Sequence, residues 1–232
     1  MFLTLRVRLF GSGVCNRAIK ILSPHAVREE HFMNLLLFSD LHCDRQAAAR
    51  IVELAREVDV VIGAGDFANV RRGLEATIDV LRAIDRPAVV VAGNSETTEE
   101  LVASCQRWPT AHVLHGSGVT IDGVTFFGLG GAVPVTPFGS WSYDLSEEQA
   151  AELLKDCPAG CVLVTHSPPK GALDVSSSGQ SLGSTAVRET IERARPALVV
   201  CGHIHACGGQ SESLGETTVI NAGPGGVPWK VS

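Results

Sequence analysis

At 232 residues, with 45% hydrophobic side chains and a net charge of −6, the chain is long enough to bury one sizeable domain and too acidic for a broad duplex-binding surface. No run approaches the roughly 18 apolar residues of a membrane span. Seven cysteines, an odd number without a Cys-x-x-Cys pair, exclude a disulfide framework and point to a reduced, cytoplasmic protein.

Residues 1–32 stand apart from the rest. They hold five basic side chains and two acidic ones, against 19 and 25 in all, which leaves 14 and 23 for the remainder. Basic, acid-poor N-termini resemble transit peptides. Leu3, Leu5, Val7 and Leu9 alternate as in a short strand. The expectation is nevertheless an N-terminal extension, poorly packed, ahead of one domain over 33–232.

From there the pattern is strand and helix in turn. Residues 34–38 read as a buried strand ending in Ser39-Asp40-Leu41-His42. A helix follows over 44–57, with Ala47, Ile51 and Leu54 on one face. A second strand, 58–62, ends in Gly63-Ala64-Gly65-Asp66, and a helix is predicted over 70–84. The third strand, 88–92, ends in Gly93-Asn94-Ser95-Glu96; a helix over 98–108 stops at Pro109. Such alternation predicts a parallel sheet covered by helices.

The middle differs. Short strands over 113–114, 119–121 and 124–127 include an Asp122-Gly123 pair, a strong hairpin signal. A long loop over 128–142 carries Phe138 and Trp141, and loops of this length are more often functional than idle. Ser146 and Gln149 fit a capping box for a helix over 146–154. A strand over 161–165 reaches His166, and a second long loop follows. A helix over 184–194 precedes the strand 197–200, which runs into Cys201-Gly202-His203-Ile204-His205. A last strand is predicted over 217–220, ending at Asn221. Cys157 and Cys161 flank a turn; two sulfurs alone make a poor zinc site, and ordinary packing is the expectation.

Five strands thus end in Asp40 and His42, Asp66, Asn94, His166, and His203 with His205. Each taken alone has an ordinary reading as a cap, a turn or a loop histidine. In a parallel sheet, however, the carboxyl ends of strands share one edge, where ligands bind. Extended backbone at His203 and His205 would point both rings the same way. Oxygen and imidazole donors without thiolate suit Mn, Fe, Zn, Ni or Co. A cation is also the natural reason to collect buried carboxylates.

The ordered set Asp40-x-His42, Gly65-Asp66-x-x-Asn69, Gly93-Asn94-x-Glu96, His166 and Gly202-His203-x-His205 resembles the calcineurin-like metallophosphoesterase superfamily. The stretches His166–Gly171, Gly183-Ser184 and Asn221–Gly223 resemble its small, single-domain Icc-related branch. The resemblance implies a four-layer α/β/β/α sandwich with mixed sheets and two divalent transition-metal ions at one edge. One ion would take Asp40, His42, Asp66 and His205. The other would take Asp66, Asn94, His166 and His203, with Asp66 bridging. It implies hydrolysis of a small phosphomonoester or phosphodiester, with Asp66 and Asn94 in the catalytic centre and a metal-bridging hydroxide as nucleophile. Asn69, Ser95 and Glu96 would lie around it. One position departs: the family usually has histidine where this chain has Ser95, and serine is no cationic donor near neutral pH. His112 and His115, a little further on, are the candidates to replace it. Membranes and nucleic acid are not expected partners.

Overall fold

The computed structural model describes residues 32–231. The expectations for residues 1–31 therefore lie outside the described residues. Eleven strands and five α-helices follow in chain order among those described. The first half alternates: β1 (Met33–Phe38), α1 (Arg45–Leu54), β2 (Val60–Ala64), α2 (Leu74–Leu81), β3 (Ala88–Val91), α3 (Thr98–Cys105) and β4 (Ala111–Val113). Then come β5 (Ser117–Ile121), β6 (Val124–Leu129), α4 (Glu147–Leu154), β7 (Val162–Thr165), α5 (Thr185–Ala194), β8 (Leu198–Cys201), β9 (Ser211–Leu214), β10 (Thr217–Asn221) and β11 (Val227–Val231).

The strands make two mixed sheets. One runs β11-β1-β2-β3-β4, the other β5-β6-β7-β8-β10-β9. In the first, β1 to β4 are parallel and β11 is antiparallel to β1. In the second, β6, β7, β8 and β10 are parallel, with β5 and β9 antiparallel at the edges.

Alternation along β1 explains the layering. Leu35 and Leu37 point into a core shared with Phe126, Val164 and Val200 of the other sheet. Leu36 and Phe38 point the opposite way, against Ile51, Ile78 and Leu101 of α1, α2 and α3. On the far side, Leu163 and Val199 pack on Leu154, Val187 and Ile191 of α4 and α5. Two sheets face to face, each with helices outside, give the expected four layers.

Local chemistry sets the boundaries. Asp44, not Asp40, caps α1; its carboxylate accepts from the amides of Gln46 and Ala47. Ser146 and Gln149 form the capping box ahead of α4. Asp122 and Gly123 both have positive φ, as a two-residue turn between β5 and β6 requires. The second helix is shorter than predicted: Val70, Arg71 and Gly73 all have positive φ, so α2 starts only at Leu74. Two edge strands, β9 and β11, were not expected. No described helix is long and apolar enough to cross a membrane.

Candidate functional site

The donor-bearing strand ends meet where the two sheets adjoin, and backbone bonds stitch them. Asp40 and His42 amides donate to the carbonyls of Gly65 and Asp66, both at 2.9 Å. The Gly202 amide donates to the His166 carbonyl at 3.0 Å. The Asn221 side-chain amide, at the end of β10, donates to the carbonyls of Gly202 and Ile204, each at 3.0 Å. It thereby brackets His203.

Close approach demands glycine at two of these turns. A Cβ on Gly93 would lie 2.0 Å from Asp66 Oδ1, and one on Gly202 would lie 2.6 Å from Asp40 Oδ2. Four predicted donors adopt a backbone that favours glycine: Asp40, His42, Asp66 and His203 have φ between 43° and 63°. Such conformations cost on the order of 1–3 kcal/mol each and concentrate at functional sites. His203 is accordingly not extended, as the spacing argument had supposed. The left-handed turn there, followed by a short 3₁₀ turn at His205–Cys207, still brings both rings to the edge.

The side chains converge in two groups. His42 and His205 face each other with their Nε2 atoms 3.1 Å apart. His42 Nε2 is 3.4 Å from Asp66 Oδ2, and His205 Nε2 is 3.6 Å from Asp40 Oδ1. On the other side, His166 Nε2 lies 3.2 Å from Asn94 Oδ1 and 3.6 Å from Asp66 Oδ1. The His203 ring packs on His166 with centroids 4.9 Å apart. Asp66 turns Oδ2 toward His42 and Oδ1 toward His166. Asp40, His42 and His205 have donor atoms mutually within 4.8 Å, as do Asp40, Asp66 and His166. Neighbouring ligands held roughly 2.1 Å from one cation at about 90–110° would be about 3.0–3.4 Å apart; three of the separations, 3.1, 3.2 and 3.4 Å, fall in that range and the two of 3.6 Å lie just above it.

Outer partners aim these donors. His166 Nδ1–H donates to the Ala64 carbonyl at 2.8 Å, which leaves its Nε2 lone pair facing the site. The Asn94 amide donates to Ser142 Oγ at 3.1 Å, which turns Oδ1 the same way. Ser142 in turn donates to Asp144 at 2.6 Å. Asp40 accepts from the Ser39 hydroxyl at 2.5 Å and the His203 amide at 3.1 Å. The Ser95 amide donates to Asp66 Oδ1 at 2.8 Å.

Electrostatics follow. Burial alone would raise the Asp40 carboxyl, but its contact with His205, the nearby His166 and Ser39 outweigh it and hold it at about 2. Burial and the neighbouring His166 push His203 down to about 3, so it stays neutral and its lone pair remains free. His166 is also desolvated, yet the charges of Asp66 and Asp40 move it upward. His205 is likewise moved upward by its bond to Asp40, so the two carboxylates draw protons onto neighbouring imidazoles, a pull that a bound cation would take over.

The remaining candidates are dispersed. Ser95 is buried and lines the cavity over the donors; Asn69 lines it from an exposed turn. Glu96 lies behind, fully buried, and accepts from the amides of Phe67, Ala68 and Gly93. Burial and the charge of Asp66 raise it to about 7. Its place is structural support for two strand ends. Neither replacement histidine lines the cavity. His115 contacts the Gly130 amide and the Tyr143 hydroxyl, and His112 is exposed on β4. Ser142 and Ala64, which orient Asn94 and His166, had no signal in the sequence. Cys157 and Cys161 are buried with their sulfurs 3.6 Å apart, and no histidine or carboxylate completes a metal set with them among the described residues.

The cavity over the donors has a volume of about 390 Å³. Phe138 and Trp141 form one wall, stacked with centroids 5.5 Å apart and planes 13° from parallel. Ser176, Ser177 and Leu182, from the second long loop, also line it.

Comparison with known proteins agrees with this architecture. A Caenorhabditis elegans protein, UPF0046 protein K07C11.7, is 35% identical over 187 residues, covering 71% of this chain and 62% of that protein. The chain thus spans less than two thirds of that relative. The TT1561 protein of Thermus thermophilus superposes with a TM-score of 0.68 at 20% identity, over 83% of this chain and 90% of that one. A dimetal phosphatase from Danio rerio superposes with a TM-score of 0.57 at 14% identity, over 82% and 86%. These structural likenesses establish the fold. Residues 33–231, which include every converging donor, match the model of the calcineurin-like phosphoesterase superfamily domain, and the chain belongs to that superfamily.

Proposed function

We propose that the protein is a dimetal-dependent phosphoester hydrolase acting on a small phosphomonoester or phosphodiester, with nucleotides among the candidates. The observation that carries this reading is the paired donor cluster, with five donor separations of 3.1–3.6 Å and Asp66 within 3.6 Å of both His42 and His166. Asp40, His42, Asp66 and His205 would hold one divalent cation; Asp66, Asn94, His166 and His203 would hold the second. Mn, Fe, Zn, Ni and Co all suit this donor set. When bound, such a pair polarises phosphoryl oxygens and lowers the pKa of a water between them.

The chain's own residues do the rest. Two buried aspartates set the spacing of the site and leave it net cationic once two divalent ions are present. Ala64 and Ser142 fix the faces that His166 and Asn94 present. Phe138, Trp141 and Leu182 wall the cavity and reduce water around the phosphate. Purified protein with Mn²⁺ should hydrolyse p-nitrophenyl or bis-p-nitrophenyl phosphate, and EDTA should abolish it. Full metal content with no hydrolysis of either ester would contradict this reading.

One observation favours a second reading, a metal-containing protein that binds phosphate or a nucleotide with negligible turnover. Ser95 stands where the superfamily pattern has histidine, and neither His112 nor His115 reaches the cavity. Tight phosphate binding without hydrolysis, in the same assay, would be its signature.

We also propose that residues 33–232 form the metallophosphoesterase domain and that residues 1–32 are an extension. Met33 begins β1, which among the described residues is paired on both sides, by β2 and β11. Protein beginning at Met33 should therefore keep its metal content and kcat/KM within about twofold and its Tm within a few degrees, because surface changes rarely exceed about 0.5 kcal/mol. Loss of folding or metal would show that the removed segment completes the core.

A further inference from the structure

We propose that the cavity takes a single-phosphate ester whose leaving group is a planar aromatic ring with a phenol-class oxygen, seated against Phe138 and Trp141. This rests on the phosphoesterase reading and narrows it to a substrate class.

Two independent features converge on that class. The first is the wall. Phe138 is 50% exposed although it lies beside a buried polar floor. Its stacked partner Trp141 is held in place through the next residue, since Ser142 bonds to the Asn94 side chain and Tyr143 N donates to the Asn94 carbonyl at 2.9 Å. Val70 and Leu182, 46% and 42% exposed, add apolar surface to the same cavity. Exposed apolar groups gathered around a polar floor mark a binding surface. A flat ring is the shape that a preformed, nearly parallel aromatic pair accepts best. No Lys or Arg lines the cavity among the described residues. No cationic side chain of the described lining would pair with a second phosphate or a carboxylate, which favours an uncharged group beyond the reacting phosphate.

The second feature is what the cavity lacks for proton transfer. With the proposed metal donors set aside, its lining holds Asn, Ser, Trp and apolar side chains and no group that titrates near neutrality. During hydrolysis a water oxygen forms a bond to phosphorus while the bond from phosphorus to the leaving oxygen breaks. The electron pair leaves on that oxygen, which then takes a proton from solvent. The net change is aryl phosphate plus water to phenol plus phosphate. A phenol ionises near ~10, so its anion departs unassisted far more readily than an alkoxide comparable to hydroxide, whose water ionises near ~15.7. The aromatic wall and the missing acid therefore select the same leaving group.

Full-length, Mn²⁺-loaded protein tests this by calorimetry with phenylphosphonate and methylphosphonate, which share a head group and are not hydrolysed. Phenylphosphonate should bind at least about 10-fold more tightly, the scale of one ring stacked on an aromatic side chain. The double variant Phe138→Ala/Trp141→Ala should lose that gap, with its Mn²⁺ content and Tm reporting that its floor is folded. In turnover, phenyl phosphate should exceed cyclohexyl phosphate by at least about 10²-fold in kcat. Equal affinity for the two phosphonates, a gap that survives the double variant, or equal turnover of the two esters would overturn the proposal. A phenyl preference in binding with neither ester hydrolysed would uphold the aromatic subsite. It would remove the phosphoesterase reading and the leaving-group assignment together.

Discussion

Asp66→Asn should lower kcat/KM for p-nitrophenyl phosphate by more than about 10³-fold, because a bridging charge acts on both cations and each contributes several kcal/mol of charge stabilisation. The two carboxylate oxygens of Asp66 face both halves of the site, 3.4 Å from His42 and 3.6 Å from His166. Asparagine keeps the size and the oxygen that accepts from the Ser95 amide, so the turn after β2 should persist. It loses the charge and sets an N–H₂ donor against one of the imidazoles, where a cation or a lone pair should be. The comparison must include melting temperature. An unchanged Tm with lost activity separates chemistry from folding. A variant that retains activity within tenfold would mean that Asp66 does not bridge.

Ser95→His should raise kcat on poor leaving groups, such as alkyl phosphates, by roughly 10²–10⁴-fold, the usual worth of a placed acid or base. It should change nitrophenyl ester hydrolysis much less, since that leaving group needs little help. The position is favourable: Ser95 follows Asn94 directly, is buried, and borders the cavity. The about 390 Å³ beside it leaves room for an imidazole. Rates across a series of esters of rising leaving-group pKa would give the slope for each protein. A flatter slope in a fully metallated Ser95→His protein is the expected result. An unchanged slope would show that proton transfer does not limit the reaction.

Much of this site was legible because it obeys short-range rules. Apolar runs of four or five residues mark β1, β2, β3, β7 and β8, and within each of the two sheets the parallel strands send their carboxyl ends to one edge. That rule groups Asp40, Asp66 and Asn94 at one sheet's edge and His166 with His203 at the other's; that the two edges adjoin was implied only by the family resemblance. The capping box at Ser146 and the turn at Asp122-Gly123 were equally local.

What escaped was set by distant partners or by strain. β9 reads Ser-Glu-Ser-Leu, with no apolar run, and is a strand only because β10 pairs with it. β11 contains Pro228 and follows three glycines, yet it joins the sheet by pairing with β1, nearly the whole domain away. Proline is tolerated there because the strand lies at an edge. The positive φ of Val70 and Arg71, which delays α2, violates local preference and has no sequence mark. Nor does the bond between Asn94 and Ser142, 48 residues apart, which ties the aromatic wall to the donor cluster.

The central claim is that two cations share the cluster built on Asp66. Elemental analysis of full-length protein, reconstituted with Mn²⁺ and then freed of unbound metal by desalting, measures this most directly. The account predicts close to two ions per chain, falling to less than one in Asp66→Asn. No retained metal in the reconstituted, folded wild-type protein would contradict it.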